Sequence, residues 1–391
     1  MKTFRLWLVV ALMVFATFAF AGCGNSTSSS STGSSNTSSS NTSSSNTSSN
    51  AAGKYSNVGI VLPTKAESRW PMAQKQFEQA LPGATILYSN GDTATEKTNV
   101  ESLISKGAKT IVICPQDATA AAAEVNEAHD KGVKVISYDR LIMNTPNVDY
   151  YVTFDSVAVG AAQAQYLVDN AKGTGNHLYL YAGAPSDNNA FLFFQGAWSV
   201  LQPKIADGTF VIENSSIADS LKNTATLNHS QLAQIIGQIT TNWDPATAKT
   251  LAQANLAKAK ADQKGVVYVL APNDDTSRAI TDTFRADKDV TQIYSTGQDF
   301  TQASLQYILD GKQSMTVWKS DAKLVADVKD IVDSINNNEK PSCIVTTYNN
   351  GSKDVPATKA PLTIVTKDNA ESIINSSGLY KIDNGKVVPI Q

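Results

Sequence analysis

The chain has 391 residues, 42% of them hydrophobic, and a formal net charge of −3. That is enough apolar material for two domain cores, and the charge provides no basic field of the kind that holds nucleic acid. Three cysteines are too few for a disulfide framework in a body this large, and three scattered histidines (His129, His177 and His229) have no zinc-binding spacing.

The first element is a leader. Lys2 and Arg5 precede an apolar run from Leu6 to Ala21, and Phe20-Ala21-Gly22-Cys23 follows as a small-residue cleavage site ending on a thiol. The run falls short of the roughly 20 apolar residues of a membrane span. Residues 1–22 therefore read as a lipoprotein signal peptide, with Cys23 as the lipidated first mature residue. Residues 23–53 are nearly all Ser, Thr and Asn, which cannot bury apolar surface and make a solvated tether. The expected location is extracytoplasmic, lipid-anchored to a cell membrane without an outer membrane beyond it.

From Tyr55 onward, short β-branched runs alternate with helical patterns punctuated by Gly or Pro, the signature of βαβ units and a parallel sheet. Strands are expected at Val58–Leu62, Thr85–Tyr88, Thr110–Cys114 and Val133–Tyr138. The intervening helices are one opened by Pro71, one opened by Thr93 with Glu96 at capping-box spacing, and one over Ala118–Lys131. A second series starts near Asp155 with a helix through Leu167. Its strands are His177–Tyr181, Thr209–Ile212, Val266–Leu270 and Gln292–Thr296, and its helices Phe194–Leu201, Pro245–Lys264, Ser277–Arg285 and Gln302–Leu309. Residues 215–241 form an unusually long connection, with Gln231–Ile239 helical. Periodicity alone thus describes two doubly wound α/β lobes in series.

In such sheets ligands sit at the carboxyl ends of strands. The loops there hold Glu67-Ser68-Arg69-Trp70, Tyr138-Asp139-Arg140, Ser186-Asp187-Asn188-Asn189, Asn242-Trp243-Asp244, Asn273-Asp274-Asp275, Gly297-Gln298-Asp299 and Trp318-Lys319. There is no phosphate-cradling glycine loop. Each sugar hydroxyl is donor and acceptor together, so carboxylates paired with Arg, Lys and Asn suit it, and its apolar ring faces lie against indoles. Trp70 and Trp243 are placed to sandwich a ring. Taken singly, Asp and Asn after strands are turn formers and caps, Asp244 before Pro245 above all. Trp198 and Trp318 read as packing residues, and Cys114 as a buried, inert thiol.

The order of these loops resembles the sugar-binding proteins of ABC transporters with the type I periplasmic fold, the xylose binders among them. Pro63-Thr64-Lys65, Arg69-Trp70, Ser137-Tyr138-Asp139-Arg140, Asp187-Asn188-Asn189-Ala190, Asn273-Asp274, Gly297-Gln298-Asp299, Met315-Thr316-Val317-Trp318-Lys319 and Asn349 to Pro356 carry the resemblance. It implies that Arg69, Asp139, Arg140, Asp187, Asn189, Asn273, Asp299 and Lys319 hydrogen-bond a monosaccharide such as D-xylose, with Trp70 and Trp243 stacking on it. It also implies three crossings between the lobes, near Phe154, Lys319 and Pro361. The amino-terminal lobe is then 54–154 plus 320–360, and the carboxyl-terminal lobe 155–319 plus 361–391. Implied partners are the permease and ATPase subunits of the transporter, with no metal or other cofactor, and the protein is expected to be a monomer.

Other readings are a sugar-responsive transcription regulator, a carrier for a chemoreceptor or sensor, and a glycoside-acting enzyme. A regulator would carry an amino-terminal helix-turn-helix where the leader stands. An enzyme would show a nucleophile elbow, a dinucleotide fingerprint or a histidine in these loops, and none is present. Paired carboxylates leave glycoside hydrolysis as the enzymatic alternative.

Overall fold

The computed structural model describes residues 53–390; the leader, Cys23 and most of the tether lie outside the described residues. No helix among the described residues is long and apolar enough to cross a membrane. The chain begins β1 (Val58–Leu62), α1 (Arg69–Ala80), β2 (Thr85–Tyr88), α2 (Thr93–Ser105), β3 (Thr110–Ile113), α3 (Ala122–Asp130), β4 (Lys134–Tyr138) and β5 (Tyr150–Val152). It continues with α4 (Ser156–Asn170), β6 (Asn176–Leu180), α5 (Asn188–Ala206), β7 (Phe210–Ile212), α6 (Ser216–Ser220), α7 (His229–Ile239) and α8 (Pro245–Lys258). Then come β8 (Gly265–Leu270), α9 (Asp274–Arg285), β9 (Val290–Ser295), α10 (Gln302–Leu309), β10 (Met315–Lys319) and α11 (Asp321–Asn337). The end comprises β11 (Thr346–Asn349), β12 (Asp354–Ala357), β13 (Leu362–Thr366), α12 (Ala370–Ser376), β14 (Tyr380–Asp383) and β15 (Lys386–Pro389).

The first sheet has the order β11-β12-β5-β4-β3-β1-β2 and the second β7-β6-β8-β9. Both are parallel except for the β11–β12 hairpin. The isolated bridge Gln298↔Val317 carries the second sheet on to the antiparallel pair β10–β13. Strand β1 is buried along its whole length, as a central parallel strand covered by helices on both faces must be. The serial division read from periodicity is corrected here, since β11 and β12, from late in the chain, hydrogen-bond to β5 in the first sheet. The chain passes between the sheets three times, and Phe154 and Ala360 bridge two of the crossing segments.

Local expectations are corrected at four places. The Thr93/Glu96 capping box does not form, because Asp92 caps α2 by accepting from Thr95 N–H at 2.6 Å. Glu96 turns inward instead. Helix α3 starts at Ala122 rather than Ala118, because the Asp117 side chain holds Thr119 N–H and Ala120 N–H in a turn. Helix α5 starts at Asn188, well before Phe194, where Asp187 caps it. Helix α8 stops at Lys258 rather than Lys264, where Ala259 turns extended.

Helices α4 and α5 cross at glycines. A Cβ on Gly160 would collide with the Phe193 carbonyl, and one on Gly196 with the Val157 carbonyl. Replacing either glycine by alanine overpacks this crossing and is expected to destabilise the fold by about 1–3 kcal/mol. The check is urea unfolding, where the midpoint should fall with the slope unchanged. The long 215–241 connection builds α7, which is capped by an Asn228–Gln231 box and buries Leu232, Ile235, Ile236 and Ile239. It ends at Thr240, which bridges to Ala182 at the end of β6, while Thr241 Oγ1–H donates to Ala182 O at 2.9 Å. That attachment delivers Asn242 and Trp243 to the edge where the site lies.

Candidate functional site

A cavity of about 250 Å³ lies between the carboxyl edges of the two sheets. All ten residues expected at the site line it: Arg69, Trp70, Asp139, Arg140, Asp187, Asn189, Trp243, Asn273, Asp299 and Lys319. Glu67, Phe193 and Gln298 also line it and were not singled out. Glu67 and Gln298 stand in loops already noted. Phe193 lies one helical turn beyond Asn189, on the same face of α5, which is the signal that could have found it.

Local structure positions these groups. Arg69 and Trp70 occupy the first turn of α1, and Asp139 and Arg140 follow β4. Asp187 caps α5 and Asn273 caps α9. Capping and lining coexist in both; at Asn273 the side-chain Oδ1 accepts from Thr276 N–H at 3.2 Å and leaves the side-chain N–H groups free to point elsewhere. Asp244 is the N-cap of α8 and accepts from Thr247 N–H at 2.7 Å, outside the lining. Trp198 packs on Phe194 and donates to Thr224 O, and Trp318 stacks on Phe300 at 4.5 Å.

Three lining residues have left-handed backbones: Asp139 (φ 62°), Trp243 (φ 60°) and Asp299 (φ 112°). Such conformations cost about 1–3 kcal/mol each in non-glycine residues and persist where the surroundings over-determine them. Here the Asp299 N–H donates to Val317 O at 3.0 Å, and Thr301 N–H donates to the buried Asp274 at 2.9 Å. Burial pushes the Asp274 pKa up to about 7. Gly183 makes room for Trp243, because a Cβ there would overlap the indole ring. Trp243 also meets Phe193 edge-on at 6.1 Å.

The charges form a chain. Arg69 Nε–H donates to Asp139 at 3.0 Å, and its Nη1 lies 3.0 Å from Asp321 and 3.7 Å from Asp299. Lys319 Nζ reaches Asp299 at 2.9 Å and also donates to Gln298. Arg140 Nε lies 3.0 Å from Asp187, and Nη2 lies 3.4 Å from Glu67. Burial by itself would favour a neutral guanidinium at Arg69, but its three carboxylates outweigh it and raise the pKa further. Burial likewise opposes the Asp139 charge, yet Arg69, with Lys319 and Arg140, holds this carboxyl below its ordinary value. Burial prevails at Glu67, pushed up to about 7, and at Asp321, pushed up to about 6. Several bonds join the bodies on either side of the cavity. Asn189 Nδ2–H donates to Asp139 O at 3.0 Å, Ser68 N–H to Asp275 at 2.8 Å and Ala118 N–H to Ser186 O at 2.9 Å. Two indoles, four carboxylates and three cations therefore enclose a space with directed donors and acceptors on every side.

A model of the periplasmic binding protein domain matches residues 58–340. The chain belongs to the periplasmic binding protein family. Within that family it is similar to the multiple sugar-binding periplasmic receptor of Rhizobium radiobacter, at 35% identity over 86% of this chain and 94% of that one. It is also similar to the D-xylose-binding periplasmic protein of Escherichia coli, at 29% identity over 85% of this chain and 93% of that one. Among solved structures, a carbohydrate transporter solute binding protein of Chloroflexus aurantiacus in complex with D-glucose is 60% identical, with a TM-score of 0.81. The match covers 82% of this chain and 96% of that one. These place the chain among the type I sugar-binding members of the family, which are binding proteins and not enzymes.

Proposed function

We propose that this periplasmic binding protein is the extracytoplasmic, substrate-binding lipoprotein of an ABC sugar importer and encloses one monosaccharide, such as D-xylose or D-glucose, in its cleft. The observation that carries this reading is the convergence of ten residues from the carboxyl edges of both sheets on one cavity of about 250 Å³. A relative 60% identical in complex with D-glucose, and relatives named for xylose and for multiple sugars, support a pyranose ligand.

In this reading Trp70 and Trp243 cover the two faces of the ring. Asp139, Asp187 and Asp299 accept from its hydroxyls, and Arg69, Arg140, Asn189, Asn273 and Lys319 donate to them. The amino-terminal lobe is 54–154 plus 320–360, and the carboxyl-terminal lobe 155–319 plus 361–391. The lobes close as rigid bodies, and sugar favours the closed form because only there do both contact it. Lipid on Cys23 holds the monomer at the membrane beside the permease and ATPase subunits.

Titrating tryptophan fluorescence with xylose, glucose, galactose, arabinose and ribose tests the ligand, and small-angle scattering tests closure. Saturable binding with compaction is expected. Asp299→Ala strands Lys319 in the cleft and is expected to cost several kcal/mol of affinity, about 2–5 kcal/mol. A dissociation constant near that of the wild type would remove Asp299 from the sugar contacts.

A further inference from the structure

One carboxylate in the chain of charges around the cleft stands outside the cavity lining. Asp321 is the first residue of α11, directly after the N-cap Ser320, and is 1% exposed. The start of a helix suits an acid, but a solvent-facing one would serve α11 as well. Asp321 is instead turned onto Arg69, whose Nη1 lies 3.0 Å away. Neither Asp321 oxygen accepts a hydrogen bond among the described residues, and a charge in that position is costly to bury. The balance of charges adds to the cost, since Asp139, Asp299 and Asp321 are paired with two cations, Arg69 and Lys319. Arg140 is engaged by Asp187 and Glu67. Asp139 accepts hydrogen bonds from Arg69 and Asn189, and Asp299 lines the cavity. Asp321 does neither, so its burial calls for another account.

The guanidinium supplies it. Arg69 Nε and Nη2 both donate to Asp139, and Nη1 is left between two acids, 3.0 Å from Asp321 and 3.7 Å from Asp299. It leans to Asp321. Asp299 Oδ1 keeps Lys319 Nζ at 2.9 Å and accepts no hydrogen bond among the described residues. One short segment sets both ion pairs where the chain passes between the sheets. Lys319, at the end of β10, takes Asp299, and Asp321, at the start of α11, takes Arg69.

We propose that Asp321 is a positioning residue for sugar binding, holding Arg69 Nη1 away from Asp299 and so keeping the Asp299 carboxylate available to a sugar hydroxyl. This rests on the sugar-enclosing reading of the cleft. Without the Asp321 charge, Coulomb attraction draws Nη1 across to Asp299, the next acid in reach, and the charge-assisted bond formed there takes the acceptor from the sugar. The remaining acids, Asp139 and Asp299, then balance Arg69 and Lys319. Neutralising Asp321 therefore weakens binding without weakening the fold, whereas loss of a residue that only supported the fold would lower both together.

Asp321→Asn, which keeps the shape and removes the charge, tests this, with D321A as a second variant. D-glucose and D-xylose, each with its monodeoxy analogues, are titrated by tryptophan fluorescence against wild type and variants, and urea unfolding is followed without sugar. The dissociation constant of the variants is expected to rise about tenfold, the equivalent of about 1.4 kcal/mol, with the D321N unfolding midpoint at or above that of the wild type. The analogues locate the lost bond. The wild type should discriminate against the one that lacks the hydroxyl held by Asp299. The variants should bind that analogue and the parent sugar nearly alike, while the penalties for the other analogues persist. Unchanged affinity overturns the proposal. So does a loss shared evenly by all the analogues, or one accompanied by a lower D321N midpoint. Failure of both variants to fold makes Asp321 a residue of the fold and overturns it too. These outcomes leave the sugar-enclosing reading standing, whereas a wild type that binds neither sugar overturns that reading and this proposal with it.

Discussion

Replacing Arg69 by alanine is expected to abolish sugar binding at micromolar concentrations and to lower the unfolding free energy by about 3–5 kcal/mol, the cost of stripping one partner from a buried ion pair. Arg69 is 4% exposed and touches Asp139, Asp321 and Asp299. Without it three buried carboxylates face one another, with Lys319 as the nearest compensating cation, on Asp299. Arg69 is what lowers the pKa of Asp139 and Asp321 against burial, so without it both folded-state values rise. An acid whose pKa is higher folded than unfolded binds more protons in the folded state, so its effect on stability worsens as pH increases between the two values. The loss should therefore be larger at neutral pH than in mildly acidic buffer. Urea unfolding at both conditions checks this, and an equal loss at the two would mean that the three carboxylates do not share Arg69 as their counter-charge.

Replacing Gly183 by alanine is expected to weaken sugar binding by about 1–3 kcal/mol, or roughly 5- to 150-fold in dissociation constant. The new methyl group would occupy the space of the Trp243 ring. The ring cannot yield freely, since Thr240 and Thr241 tie its segment to Ala182 and its own backbone is already left-handed. Gly183 itself is absent from the cavity lining, so a loss of affinity would be transmitted through the indole. Fluorescence titration and a thermal melt separate the outcomes. Weak binding with a nearly unchanged melting temperature supports Trp243 as a ring-covering residue, and wild-type affinity would remove it.

The parallel α/β plan was legible because each βα unit carries its own signal: a β-branched run, then an amphipathic helix, then Gly or Pro. The loops that hold the ten lining residues were legible for a related reason, since parallel strands send all their carboxyl-end loops to one edge, and the family resemblance picked eight of the ten out of those loops. Local competition was not legible. Asp92 outcompeted the Thr93/Glu96 box and freed Glu96 to hold Gln116, a choice that depends on what packs beneath the helix. Asp187 and Asn273 could be read as caps or as ligands, and they serve as caps while also lining the cavity.

The sequence by itself determined the element types, the edge on which function lies and the chemistry of the loops, because these follow from periodicities of 2 and 3.6 residues and from residue type. Periodicity could not tell that β11 and β12 return to the first sheet, which the resemblance implied and the tertiary structure shows, since strand partners are chosen by hydrogen bonds between distant segments. Tertiary structure alone decided that Arg69 is shared by three carboxylates and that Asp139, Trp243 and Asp299 adopt left-handed backbones, because strain is tolerated only where the surrounding packing holds it.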